Sequence, residues 1–181
     1  QLERGDMEAL GAADALASLS GNRHQTHWNI MGLDKNNGLF NKTQCGNTND
    51  LSDGVKLDSP TVAENVLADY QTTGLTLREH PLALLREKAP FNRCKSQRDV
   101  LTLSNHRFVR IAGLVTCRQR PGTASGVVFL TLEDETGNHN VVVWPSVQER
   151  YRQALMTGQL LVIKGTVESR EGVTHVIAGS L

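Results

Sequence analysis

The stretch Gly126-Val-Val-Phe-Leu-Thr-Leu-Glu-Asp-Glu-Thr-Gly137 decides the fold that we expect for this chain. Alternate side chains of a β-strand point to opposite faces of the sheet. One face of this stretch is wholly apolar and is expected to line an interior: Val128, Leu130 and Leu132. The other face is mixed and carries Phe129, a large ring that is costly to expose unless something stacks on it.

Further strands are predicted on both sides of this one. They cover residues 108–117, 138–144, 160–168 and 173–178, and turn formers fill the segments between them. Inward positions continue the apolar face on the first and fourth strands: Val109, Ile111, Gly113 and Val115, then Leu161, Ile163, Gly165 and Val167. Ser146 with Glu149 three residues later predicts a capping box that opens a helix between the third and fourth strands.

Three strands, a helix and two more strands within about 70 residues is the order of an OB fold, a small closed β-barrel. An open antiparallel sheet of five strands with an incidental helix is the alternative. The mixed face of an OB barrel binds oligonucleotides or oligosaccharides. The barrel therefore predicts a binding module, and the chain as a whole belongs to the α+β class.

The sequence predicts four segments. Residues 1–33 have apolar residues near helical spacing, with breaks expected at Gly11 and Gly21, and form a helix-hairpin-helix-like remnant that ends in a short helix around Trp28. Residues 34–60 are rich in Asn, Gly, Asp and Ser and read as a flexible linker. Residues 61–105 form a helical arm packing on the barrel, and residues 106–181 form the OB-fold nucleic-acid-binding domain.

Three helix starts are visible in the predicted arm. Thr61 with Glu64 forms a capping box, and Gly74 ends the helix that it opens. Pro81 after His80 stands at a first helical position. A further cap, Ser96 to Asp99, precedes a helix expected over residues 100–104.

Charge places a limit on how the barrel can bind. The chain has no net charge, while residues 101–181 hold eight Lys and Arg against six Asp and Glu. A stand-alone nucleic-acid binder is usually more basic than this. We therefore expect a module that borrows affinity from a larger neighbour.

Cys45, Cys94 and Cys117 are far apart and form no CxxC pair. A metal knuckle or a disulfide framework is therefore not expected, and a reducing, cytoplasmic location is. No apolar run approaches 18 residues and no signal peptide is visible, so neither membrane insertion nor export is indicated. The chain begins with Gln1 rather than Met, so we expect that a front part is missing.

Several segments resemble one known family. Residues 69–82, 109–126 and 128–137 are similar to the C-terminal part of the error-prone bacterial C-family DNA polymerase, the translesion paralogue of the replicative polymerase III alpha subunit. The most specific parts are Arg118-Gln-Arg-Pro-Gly122 and Val141-Val-Val-Trp-Pro145. Residues 14–28 resemble the end of the family's helix-hairpin-helix region, and residues 35–60 depart from it because an Asn-rich sequence replaces a Pro-rich linker.

The resemblance implies template-directed DNA synthesis in DNA-damage-induced mutagenesis and translesion synthesis. It also implies a divalent metal held by palm aspartates, which lie upstream of this chain, so no cofactor is expected here and the chain is expected to be inactive alone. The run Glu133-Asp134-Glu135 is interpreted as a solvated hairpin, because carboxylates at a turn splay apart. The six His residues are expected at the surface or in packing.

The implied partner is single-stranded DNA. Phe129 is the predicted stacking residue. Arg110 and Lys164 project outward from the first and fourth strands, as does Ala112, and the two cations are predicted to contact phosphate. The remaining predicted phosphate contacts are Arg118 and Arg120 in the loop between strands one and two, and Arg170 in the hairpin between strands four and five. Trp144 and Tyr151 are expected to pack, Tyr151 by plugging the barrel.

Two alternatives remain open. The barrel could dock other mutagenesis or replication proteins, with Phe129 in the interface. It could also be an anticodon-binding barrel of a tRNA synthetase, which shares the spacing Gly-x-x-Phe-x-x-Leu-x-Asp-x-x-Gly of residues 126–137 but does not explain the match at 69–82. Salt separates the first two readings, because only DNA binding weakens steeply with salt.

Overall fold

The computed structural model describes residues 2–32, 55–170 and 172–181. They fall into two compact units, Gln1–Arg78 and Glu79–Leu181. Most of the predicted linker, residues 34–54, lies outside the described residues, and residues 55–60 have no regular secondary structure. The four-segment division of the sequence stays a prediction.

The first unit is helical. Its described helices are α1 (Arg4–Ala12), α2 (Ala17–Ser20), α3 (Arg23–Met31) and α4 (Val62–Thr72). The helix predicted around Trp28 is α3, and the break at Gly21 is confirmed by a φ of 90° that suits glycine.

The break predicted at Gly11 is wrong. Gly11 lies inside α1 and is buried, and a Cβ atom there would stand 2.8 Å from the Ile30 side chain of α3. This glycine therefore permits a close helix approach rather than a turn.

A partly buried network of ion pairs joins the elements of the first unit. The Arg23 guanidinium donates to Asp69 of α4, and Arg78 pairs with both Asp69 and Asp14. Burial by itself raises the pKa of Asp69, but hydrogen bonds from Arg23 and Thr76 outweigh it and hold this pKa below its usual range. The capping box predicted for α4, Thr61 with Glu64, is confirmed.

The second unit contains the barrel. Its strands are β1 (Phe108–Gln119), β2 (Val128–Asp134), β3 (Gly137–Val143), β4 (Leu160–Arg170) and β5 (Val173–Ser180). They close in the order β1-β2-β3-β5-β4, with β3 and β5 parallel and the other neighbours antiparallel. Closure and order confirm the OB architecture over the open-sheet alternative.

The core of this unit is the inside of the barrel. The predicted inward positions on β2 and β4 are buried, as are Val109, Ile111 and Gly113 of β1. Ala112 was expected to face outward, yet it is fully buried. The segment at Lys95 explains this burial, because the Lys95 amide donates to the Arg110 carbonyl at 2.7 Å and the segment covers β1 at that point.

A β-bulge changes the alternation of β1. Val115 is opposite Leu132, but Cys117 is opposite Thr131, so the register shifts by one residue between them. One extra residue moves every following side chain to the other face. Gln119 therefore joins the face of Phe129, and Arg118 comes opposite the buried Leu130.

A short arm precedes the barrel in this unit. It contains α5 (Pro81–Leu85), a 3₁₀ turn (Phe91–Arg93) and α6 (Gln97–Leu101). Pro81 stands at the first turn of α5 as predicted. The capping box of Ser96 with Asp99 is confirmed, but α6 begins earlier than the expected residues 100–104.

The helix between β3 and β4 differs from its prediction at its start. It begins as α7 (Pro145–Arg150), whose N-cap is Trp144 and whose first residue is Pro145. The capping box predicted from Ser146 and Glu149 is therefore wrong. Proline already fits the first helical position and has no N–H to satisfy, so the helix starts one residue before Ser146 can cap it.

This helix also breaks once. At Tyr151 the backbone leaves helical geometry, and α8 (Arg152–Thr157) follows. Tyr151 is only half-buried, whereas Leu155 of α8 belongs to the barrel core. The plug is therefore Leu155, one helical turn beyond the predicted residue.

We expect Gly165→Ala to destabilise the barrel. A Cβ at this position would stand 2.3 Å from the backbone oxygen of Ile177, which cannot move without disturbing β5. Overpacking of this kind costs about 1–3 kcal/mol. Urea unfolding followed by circular dichroism measures the loss.

Gly122→Ala is the matched control for this substitution. A Cβ there meets no atom within 4 Å, so its unfolding midpoint is expected to equal that of the parent. Equal midpoints for both variants would contradict the close contact of β4 and β5.

Candidate nucleic-acid interface

Phe129 lies on the outer face of the barrel. It is 38% exposed, and its cross-strand partners are Gln119 of β1 and Val142 of β3. The next pair along, Thr131 and Asn140, is polar. The ring therefore stands between strands on a face that offers both stacking area and hydrogen-bonding groups.

Arg110 and Lys164 are direct cross-strand partners on β1 and β4. Lys164 is exposed, Arg110 is half-buried, and neither has an ion-pair partner among the described residues. Like charges placed opposite each other repel, so an anion near this pair is favoured. At about 3.3 Å per residue the pair stands up to roughly 30 Å along β1 from Gln119. The pair lies where β1 pairs with β4, whereas Phe129 lies where β2 pairs with the other end of β1, so neither cation is a cross-strand neighbour of Phe129.

Arg118 lies in β1 and not in the loop where the sequence placed it. Its Nε donates to the carbonyl of Leu155 at 2.9 Å, and Nη2 donates to the carbonyl of Gly158. The bulge explains the difference, because it turns Arg118 toward α8. This guanidinium holds the end of α8, which is a structural role.

Arg120 follows β1 and is exposed. A Cβ built on Gly126 would stand 3.6 Å from its guanidinium and 3.8 Å from Pro145. Arg120, Gly126 and Pro145 therefore meet at one point beside the start of α7. No ion-pair partner of Arg120 occurs in the described part of the chain.

The prediction that Arg170 lies in the hairpin between β4 and β5 is wrong, because Arg170 is the last residue of β4. Its side chain is 82% exposed and pairs with Glu168 at 2.8 Å. The neighbouring carboxylate balances its charge, which leaves less attraction for phosphate than at Arg120.

Trp144 was expected to pack, yet it is 51% exposed. Along β3 the buried residues alternate with accessible ones, and Trp144 continues the accessible set that includes Asn140 and Val142. Trp144 therefore provides a second aromatic ring on the outer face, next to β2. The alternation of residues along this strand indicates that Trp144 is accessible. The prediction of packing depended instead on the adjacent Pro145.

A cleft of about 450 Å³ opens between the segment after β1 and the helices α7 and α8. Three of the residues that line it are arginines and one is a glutamate. The lining residues are Arg118, Gln119, Arg120, Val128, Pro145, Gln148, Glu149, Arg152, Leu155 and Met156. Pockets of this volume hold small ligands of nucleotide size.

Asp134 is not part of a solvated hairpin, because its carboxylate is fully buried. The carboxylate accepts hydrogen bonds from six groups of the turn, of β3 and of the arm. The donors are the backbone amides of Gln97, Thr136 and Gly137, the Thr136 hydroxyl, His139 Nε2 and Arg86 Nη2.

These contacts set the titration of Asp134. Burial by itself raises the pKa of the carboxyl, but hydrogen bonds from His139 and Thr136 outweigh it and hold the pKa of Asp134 well below its usual range. Arg86 also pairs with Glu135 at 2.6 Å, which accounts for a second member of the acidic run.

The acidic run does not fit a divalent metal. The two oxygens of Asp134 already serve its hydrogen-bond donors, and Glu135 is paired with Arg86. Within residues 2–32, 55–170 and 172–181 no group of three or more His, Cys, Asp and Glu is placed to hold a metal ion. The buried pair of His139 and Asp134 is part of the packing at the barrel edge.

Residues 109–181 match the family described as OB-fold nucleic acid binding domain. Together with the closed barrel and the exposed outer face, this match makes residues 109–181 an OB-fold domain of the nucleic-acid-binding class.

The relatives of the whole chain are more specific. An error-prone DNA polymerase of Saccharophagus degradans is 48% identical over 181 residues, which is 100% of this chain and 17% of the relative. One of Teredinibacter turnerae is 50% identical over 188 residues, with 99% and 18% covered. In sequence the chain is therefore similar to one part of the error-prone DNA polymerases, as its motifs indicated, and it spans under a fifth of the length of these relatives.

Among solved structures, the asparaginyl-tRNA synthetase from Pyrococcus horikoshii complexed with asparaginyl-adenylate is 26% identical. The match covers 47% of this chain and 20% of that one, with a TM-score of 0.41. A likeness this distant carries no argument about function. No helix in the described parts of the chain is long and apolar enough to cross a membrane.

We expect Asp134→Asn to cost about 3 kcal/mol of unfolding free energy at pH 7, because it leaves buried donors and Arg86 without their carboxylate. Glu133→Gln, next along β2, is the control and should stay within about 0.5 kcal/mol. Urea unfolding measures both variants.

The same pair of variants gives a pH test. A lowered pKa in the folded state stabilises the protein above the unfolded pKa, which for Asp is about 3.9. That stability is lost as the pH falls below about 4 toward the folded pKa. The parent and Glu133→Gln should lose stability steeply in this window, and Asp134→Asn should show a flatter curve. Parallel curves for all three would contradict the role given to Asp134.

We expect Arg118→Gln to lower the unfolding free energy by about 1–3 kcal/mol, because the carbonyls of Leu155 in α8 and of Gly158 after it lose a charged donor. Arg120→Gln removes the same charge two residues away, where no partner in the described part of the chain depends on it, and should leave stability unchanged. Thermal and urea unfolding of both proteins make the comparison. A stable Arg118→Gln protein would show that α8 does not need this contact.

Proposed function

We propose that this chain is the template-holding part of an error-prone DNA polymerase, which binds single-stranded DNA on the outer face of its OB barrel. The polymerase would act in the cytoplasm in DNA-damage-induced mutagenesis and translesion synthesis. The observation that carries the proposal is the exposed ring of Phe129 on the outer face, between Gln119 and Val142. The names of the relatives support the wider setting.

The chemistry of the face favours a single strand. Unpaired bases stack on aromatic rings, at about 1–3 kcal/mol per base, and every base has a face that can do so. Phe129 and the exposed Trp144 offer two such rings. Gln119 and Asn140 border them with amide groups that can donate and accept hydrogen bonds. The bases of a duplex stay stacked on one another, so they cannot stack on these rings.

The cations are consistent with a weak, assisted binder. Lys164 and Arg120 are exposed without an ion-pair partner among the described residues, while Arg118 and Arg170 already have partners. Few free cations mean few phosphate contacts and modest affinity. In the whole polymerase the remaining domains would make the other contacts with DNA and supply the rest of the affinity.

Catalysis belongs elsewhere in the proposed polymerase. The family's nucleotidyl transfer uses divalent metal held by palm aspartates, and the acidic run of this chain does not fit a metal. The barrel would keep the template strand extended and close to the polymerase. Its contribution to synthesis is positioning rather than bond making.

The test is fluorescence anisotropy of a labelled single-stranded oligonucleotide against the 181-residue chain across a salt series. We expect micromolar binding that weakens with salt, and Phe129→Ala should weaken it about ten-fold because one stacking platform is lost. Phe129→Tyr keeps the ring and should bind like the parent.

Two outcomes would overturn the proposal. No binding at low salt would remove the DNA site from this chain and favour the docking of other mutagenesis or replication proteins. Salt-independent binding of the parent, with equal affinities for the Phe129 variants, would place the DNA contacts away from this face.

A further inference from the structure

The side chains that line the cleft beside α7 and α8 carry a net positive charge. Arg120 enters it from the segment after β1, and Arg152 enters it from the start of α8. Glu149 is the one carboxylate among its lining residues. Neither Arg120 nor Arg152 has an ion-pair partner in the part of the chain that the structure describes.

The walls of the cleft are fixed by hydrogen bonds that do not involve these two arginines. Gln148 Nε2 donates at 2.8 Å to the carbonyls of Gly126 and Val143, which ties α7 to the segment before β2 and to the end of β3. On the β1 side of the cleft, Arg118 is hydrogen-bonded to the Leu155 carbonyl of α8. The cleft is therefore formed before any ligand arrives, and its free guanidinium groups need not leave other partners.

The cleft is continuous with the outer face of the barrel. Gln119 lines the cleft and is the cross-strand partner of Phe129. Neighbouring strands lie about 4.8 Å apart, which is less than the reach of one nucleotide. A strand that stacks a base on Phe129 can pass over Gln119 and place its next phosphate at the cleft.

We infer that this cleft binds a phosphate group of the single strand, with Arg120 and Arg152 as the two ligands. The inference rests on the proposed function, and it adds a subsite on α8 that faces the end of the barrel. Guanidinium groups bind phosphate oxygens through paired, charge-assisted hydrogen bonds. Val128 and Leu155 give the cleft an apolar floor on which the sugar can rest.

The test compares Arg152→Gln and Arg120→Gln with Arg150→Gln in the anisotropy assay. Arg150 is exposed on α7, carries the same charge and does not line the cleft. One phosphate contact on a single strand contributes about 0.7 to the salt slope, which corresponds to about five-fold in affinity at 0.1 M salt. We expect this loss for each cleft variant and none for Arg150→Gln.

The probe is an oligonucleotide of about 12 nucleotides, prepared with and without a 5′ phosphate. Equal losses on both probes identify a phosphodiester within the strand as the ligand. A loss confined to the phosphorylated probe identifies the terminal phosphate. Unfolding midpoints equal to the parent's confirm that each variant is folded.

The inference is overturned when Arg152→Gln binds like Arg150→Gln on both probes. If the parent nevertheless binds DNA and Phe129→Ala binds it more weakly, the DNA site on the outer face is kept and only the cleft subsite is rejected. A parent that does not bind either probe removes both the face and the cleft.

Discussion

The buried carboxylate of Asp134 is the constraint on which the second unit depends. A charge without water is tolerated only when hydrogen bonds replace its hydration. Here the donors come from the turn between β2 and β3, from β3 and from the arm before the barrel. One side chain therefore fixes the turn, starts α6 at Gln97 and draws Arg86 onto the barrel. The arm in turn covers β1 near Ala112, whereas the opposite end of β1, beside the proposed binding face, stays exposed.

The proposed binding face depends on a second feature, the bulge in β1. Without the extra residue between Val115 and Cys117, Gln119 would turn inward and Arg118 would point to the outer face. With it, Gln119 stands beside Phe129, and Arg118 secures α8, so the cleft acquires a rigid wall. Two arginines of the same chemistry, the structural Arg118 and the proposed phosphate ligand Arg120, are thus separated by backbone geometry.

Local patterns in the sequence predicted much of this protein. The alternation of apolar residues identified the barrel strands, and the caps at Thr61 and Ser96 identified helix starts, because both signals depend on neighbours along the chain. The cap at Ser146 failed because the preceding proline satisfies the same requirement. The prediction that Asp134 is solvated is wrong because its donors Arg86 and Gln97 lie 48 and 37 residues away, beyond any local pattern. Trp144 was misread although its alternation with Val142 was visible.

The sequence by itself determined the OB barrel, the position of Phe129 on its outer face and the resemblance to error-prone DNA polymerases. These follow from strand periodicity and from motifs that are continuous in the chain. Only the tertiary structure decided which cations are free. Arg118 is occupied by the Leu155 carbonyl of α8, and Arg152 lines the same cleft as Arg120. Whether a charge is available depends on partners brought from distant positions, and that information exists only once the barrel has closed.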